Sequence, residues 1–180
     1  MGISPEDAAE ALKVVEASER RSLELRGYQS VAPHLMLWGV LWAAGYMLDF
    51  FLPDLSAWGW SGLTILGWLV GYRIVAKDRH NVPDMRFFGI VIAFVLFTAA
   101  SGIIMMPHKP YQMAAFVPIV VSLFYVMVGL FGMPRLVIAG ASLFVLTLIG
   151  YFLFLGLFLP WMAIVGGGTL ILSGVWIRRA

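Results

Sequence analysis

The chain has 180 residues, 61% hydrophobic and 12% charged, with a mean hydropathy of +0.90 and a formal net charge of +2. A soluble domain carries about 45–50% apolar and about 25% charged residues, so too little polar surface remains here to cover a water-soluble globule, and the excess must face lipid. With no cysteine, disulfides, thiolate-bound metals, iron–sulfur clusters and thiol catalysis are excluded. The basic residues form no recognition motif, so no nucleic-acid partner is expected.

The chain opens with a charged leader, residues 1–33, holding six acids and four bases without an apolar core of its own. No cleavable signal peptide is expected from such a composition. Within it, 4–27 reads as a helix. Ser4 can cap, Pro5 suits the first turn, and Asp7 stands in capping-box position. Glu6 and Asp7 complement the positive end of the helix dipole, and Arg20, Arg21 and Arg26 the negative end. Gly27 is expected to stop it. Ala8, Leu12 and Val15 form a narrow apolar stripe that Glu19 interrupts, too weak for a membrane-surface anchor. The leader is therefore expected to pack on neighbouring loops, to associate with a second copy in a homo-oligomer, or to receive a soluble partner.

Six stretches then approach the roughly 20 apolar residues needed to cross a hydrocarbon core of about 30 Å: 35–52, 57–76, 87–106, 111–131, 136–155 and 160–177. The run from Leu136 to Ile177 contains no Asp, Glu, Lys, Arg or His. As one helix it would be about 63 Å long, so Gly156 and Pro160 should mark a tight hairpin. Small residues spaced four apart, Gly39/Ala43, Gly67/Gly71, Gly89/Ala93 and Ala163/Gly167, suit close helix approach, as do Ala115, Ser122 and Gly129 at seven-residue intervals. Pro118 should free a backbone carbonyl and kink its span.

With six spans both termini share a side, and every Lys and Arg except Lys109 falls on it. The bias puts the termini in the cytoplasm. "MMPHKPYQM" (105–113) is then an external turn whose two prolines end one helix and start the next. Pro53, Pro107 and Pro160 recur at nearly equal spacing, which invites a reading as three two-helix repeats. Two spans with short loops give such a period in any case, and the middle hairpin lacks the Gly-Tyr pair of the other two.

An ionisable group inside a bilayer is a functional candidate by default. Asp49 qualifies, one turn before Pro53, with Asp54, His108, Lys109 and Tyr111 expected on the same external face as ligand-binding candidates. Lys109 is expected to neutralise Asp49 or Asp54. Arg73 lies near a span end and can snorkel. His34 and His80 fall on the opposite side from His108, so no metal or haem site is expected, and no cofactor. No nucleophile–base spacing or phosphate loop supports catalysis.

The reading is an all-α, polytopic integral membrane protein of six transmembrane helices: 1–33 a cytoplasmic leader, 34–180 the bundle. Its expected place is a bacterial inner membrane. It is expected to act by interaction, as a regulatory or scaffold component, with binding or transport of a small neutral or apolar solute as the alternative.

Overall fold

The computed structural model describes residues 4–77, 85–105 and 111–179, and among these every regular element is helical. The chain runs α1 (Pro5–Phe51), a 3-10 turn (Pro53–Leu55), α2 (Ser56–Lys77), α3 (Met85–Met105), α4 (Gln112–Leu130) and α5 (Pro134–Leu153). A second 3-10 turn (Leu155–Leu157), α6 (Phe158–Trp161), a π-helical turn (Met162–Gly166) and α7 (Gly167–Arg178) complete it.

All six apolar stretches fall on helices. Four are long and apolar enough to cross a membrane: Ala8–Phe51, Gln112–Leu130, Pro134–Leu153 and Leu155–Arg178. In α2, polar and small residues together with Arg73 dilute the apolar character. The apolar run in α3 is shorter, Gly89–Met105. The fold is thus that of a helical membrane protein, in which most backbone amides find their partners within their own helix.

The leader departs from expectation. Instead of stopping at Gly27, α1 continues through Gly27 and Pro33 as one helix of 47 residues, about 70 Å long. The reason is tertiary. Tyr28, Ala32, Leu35, Trp42 and Tyr46 are all buried, at spacings that form one helix face. Packing along that face outweighs a glycine penalty of about 1 kcal/mol. Gly27 serves close approach instead: a Cβ there would stand 2.8 Å from the Met133 sulfur. Before Tyr28 the helix leaves the bundle, and residues 8–23 are exposed throughout.

The two most extensive helix contacts are α1 with α7 and α4 with α5. At the first, a Cβ on Gly39 would meet the Gly167 carbonyl oxygen at 2.8 Å, and one on Gly167 would meet the Gly39 carbonyl oxygen at 2.8 Å. Two of the small-residue pairs therefore face each other across one seam. At the second, Ala115, Ser122 and Gly129 are all buried. A Cβ on Gly140 would lie 2.6 Å from the Ser122 carbonyl oxygen. Backbones this close gain dispersion contacts that lipid cannot replace. Helix α5 packs on α7, α2 lies along α1, and α3 rests on α4.

The long apolar run does fold back. Helix α5 ends at Leu153, and the Trp161 indole N–H donates to the Leu146 carbonyl at 3.0 Å, tying α6 to α5. The Trp161 ring stacks on Phe154 at 4.9 Å, closing the hairpin with aromatic area rather than charge.

Candidate functional site

Proline at position 118 has no N–H, so the carbonyl of Ala114, four residues earlier, loses its helical partner. In an apolar surround such a carbonyl costs several kcal/mol unless another donor reaches it. The Tyr46 hydroxyl is that donor, at 2.7 Å. Tyr46 is 2% exposed, so its own hydroxyl needed a partner equally. One bond satisfies both groups and joins α1 to α4.

Around Tyr46 lies an aromatic cluster. Its ring meets Trp60 edge-on at 5.3 Å and Trp42 edge-on at 6.2 Å. Gly45 makes room for the indole, since a Cβ there would stand 2.6 Å from Trp60. The Trp60 indole N–H donates to Oδ2 of Asp49 at 2.7 Å. The other carboxyl oxygen, Oδ1, is buried and has no hydrogen-bond partner among the described residues. A buried carboxyl oxygen without a donor is costly, so it is the one polar group here with unused binding capacity.

The remaining expected site residues divide. Asp54 sits exposed in the turn Pro53–Leu55. Tyr111 precedes α4 with φ of 61°, a left-handed conformation that costs a bulky residue about 1–2 kcal/mol. Its ring lies 6.0 Å from that of the buried Phe158, which holds the start of α4 against α6. His108 and Lys109 lie outside the described residues, as does His80. The donor that the structure gives to Asp49 is Trp60, whereas the sequence reading looked to Lys109. Among the described residues no three His, Cys, Asp or Glu side chains gather.

Sequence reasoning missed Tyr46 and Trp60 as partners. A signal existed: Tyr46 and Asp49 are three apart, on one helix face, and Pro118 announced an open carbonyl. Nothing in the sequence said which hydroxyl would reach it.

At the opposite end of the bundle a second tyrosine of α1 plays a matching part. The backbone N–H of Arg135, in the first turn of α5, donates to the Tyr28 hydroxyl at 3.2 Å. Amides in a first helical turn have no intrahelical acceptor, so Tyr28 supplies one.

The fold and this site define a class, the helical membrane protein with a partly buried carboxylate near one end of its bundle. Comparison with protein-family models, curated proteins and solved structures finds no match that would narrow the class.

The Tyr46–Ala114 bond generates a prediction. Tyr46→Phe should lower stability of the detergent-solubilised protein by about 1–3 kcal/mol, because it orphans the Ala114 carbonyl. Pro118→Ala supplies an amide to the same carbonyl, so Tyr46→Phe should be nearly silent in that background. Equal losses in both backgrounds, measured as a double-mutant cycle of thermal or denaturant unfolding, would show that the bond does not compensate the proline.

Proposed function

We propose that this chain is a small integral membrane protein that acts by interaction. In this reading α1 through α7 make six crossings of a bacterial inner membrane, with both termini in the cytoplasm. The leader of α1 stands out from the membrane surface and receives a soluble cytoplasmic protein. The observation that carries it is the continuity of α1. The exposed residues 8–23 and the buried face from Tyr28 to Tyr46 belong to one helix. A tilt or rotation imposed on the leader is thereby delivered to the helix against which α7 and α2 pack. Leu12 and Val15, each more than half exposed, offer the apolar contact.

A photo-crosslinking amino acid at Leu12 or Val15 should yield a discrete adduct in cells, and one at Glu10 or Lys13 should yield much less. Equal labelling at all four positions would leave the leader without a partner face. Topology has its own test. Reporter fusions after Lys77, Arg135 and Ala180 should behave as cytoplasmic, and those near Asp54 and Lys109 as external. An external C-terminus would require an odd number of crossings and sink the six-span arrangement.

A second reading, the binding or transport of a small solute, is favoured by Oδ1 of Asp49, which has no hydrogen-bond partner among the described residues. Lys109 is the competing donor for that oxygen. Asp49→Asn and Lys109→Met, singly and together, separate the two. A coupling energy of about 1 kcal/mol or more is expected and assigns the oxygen to Lys109. Coupling near zero would leave Asp49 to a solute.

A further inference from the structure

The basic end of the bundle carries an arginine held in an unusual way. Arg135 projects from the first turn of α5, and its Nη1 donates to the Trp176 carbonyl in the last turn of α7 at 3.0 Å. Its guanidinium carbon lies 5.1 Å from the centroid of the Trp176 ring and 5.8 Å from that of Tyr28. Two aromatic contacts and a carbonyl fix the plane of the group. Arginine has five N–H donors, and only one of these contacts consumes a donor. The rest of the fork remains at a surface that a membrane protein turns toward lipid headgroups.

Immediately along α5 and α7 from this point runs an open groove of about 340 Å³. Ala139 and Ser142 form its α5 wall, Leu172 and Ser173 its α7 wall, and Trp176 its mouth. Trp176 is thus shared by the groove and by the arginine contact. Thr169, also on the groove, turns its hydroxyl inward to the Val165 carbonyl at 2.6 Å and so leaves an apolar lining there.

Charge at this mouth has one dominant sign. Arg178 and Arg179 stand two and three residues after Trp176 and are exposed, and Arg26 stands exposed two residues before Tyr28. Among the described residues the acid beside them is Glu24, next to the Tyr28 hydroxyl. A groove between two spans that opens onto a fixed guanidinium and further arginines is complementary to one kind of molecule. It needs an anionic headgroup on an apolar tail. Basic pockets between transmembrane helices bind such headgroups through charge-assisted, often bidentate, hydrogen bonds to phosphate.

We propose that the groove between α5 and α7 is a site for an anionic phospholipid, its phosphate held by Arg135 and one acyl chain lying along Ala139, Ser142 and Leu172. The site is separate from Asp49 and from the exposed residues 8–23 of α1, and does not rest on either functional reading. Lysine would not serve as well at position 135, because a point charge cannot present a planar fork while stacked between two rings.

The test is native mass spectrometry of the full chain released from nanodiscs of equimolar phosphatidylglycerol and phosphatidylcholine. The wild type should retain one phosphatidylglycerol at least tenfold more often than phosphatidylcholine. Arg135→Gln should abolish that preference, and Arg135→Lys should weaken it. Ser142→Leu, which fills the groove without touching charge, should reduce retention of the lipid just as strongly. Arg73→Gln, at a basic residue of α2 outside the groove lining, should change nothing. Each variant is checked for an unchanged helical circular dichroism spectrum, and if Arg135→Gln fails to fold then Arg135→Lys and Ser142→Leu decide. Equal retention of both lipids, or retention indifferent to Ser142→Leu, would overturn the proposal. So would displacement of the bound lipid by millimolar inorganic phosphate, which would reveal a plain anion site. A doubled mass lost on filling the groove would instead assign it to a second copy of the chain.

Discussion

A carbonyl without an amide is the constraint around which this bundle is arranged. Pro118 creates it at Ala114, in the first turn of α4 against the buried Tyr46, where water is not at hand to repair it. Only a donor from a neighbouring helix will serve, and Tyr46 provides one. Because the phenol must reach α4 at one height and one rotation, the bond fixes the register of α1 against α4. Trp60 and Asp49 then inherit their places from Tyr46, through an edge-on ring contact and the indole hydrogen bond.

The same helix face solves a second problem of the same kind. Tyr28 precedes Tyr46 by five turns of helix at 3.6 residues per turn, so the two phenols project from one side of α1 about 27 Å apart. That separation is close to the thickness of a hydrocarbon core. One phenol accepts from an orphan amide of α5, the other donates to an orphan carbonyl of α4. Helix α1 is therefore a spine that satisfies stray backbone groups at both ends of the bundle, while its glycine seam brings α7 into backbone contact between them.

Polar chemistry is confined to these two ends and differs between them. At one, a carboxylate oxygen beside aromatic rings has no donor among the described residues. At the other, an arginine keeps unused donors between aromatic rings. Both are placed by tyrosines and tryptophans, which bring a large apolar surface to the bundle and a single polar atom to its boundary. That division of labour explains how a chain with so few charges still presents sites of opposite sign.

Much of this was legible in the sequence, and for a physical reason. Lipid demands helices, so apolar length alone located the six stretches, and the break after Leu153 followed from a run too long for one crossing. Backbone approach requires small side chains, so Gly39/Ala43 and Ala163/Gly167 were visible as a packing motif. Pro118 announced an unsatisfied carbonyl by its covalent structure. Tertiary structure alone decided which surfaces met: that Gly39 faces Gly167, that Tyr46 reaches Ala114, and that Trp60 donates to Asp49. It also carried α1 through Gly27, where local propensity predicted a stop. Periodicity, length and covalent constraint act within one segment and are written in its residues. Pairing between segments depends on the summed packing and hydrogen bonding of surfaces far apart in the chain, and no single segment records it.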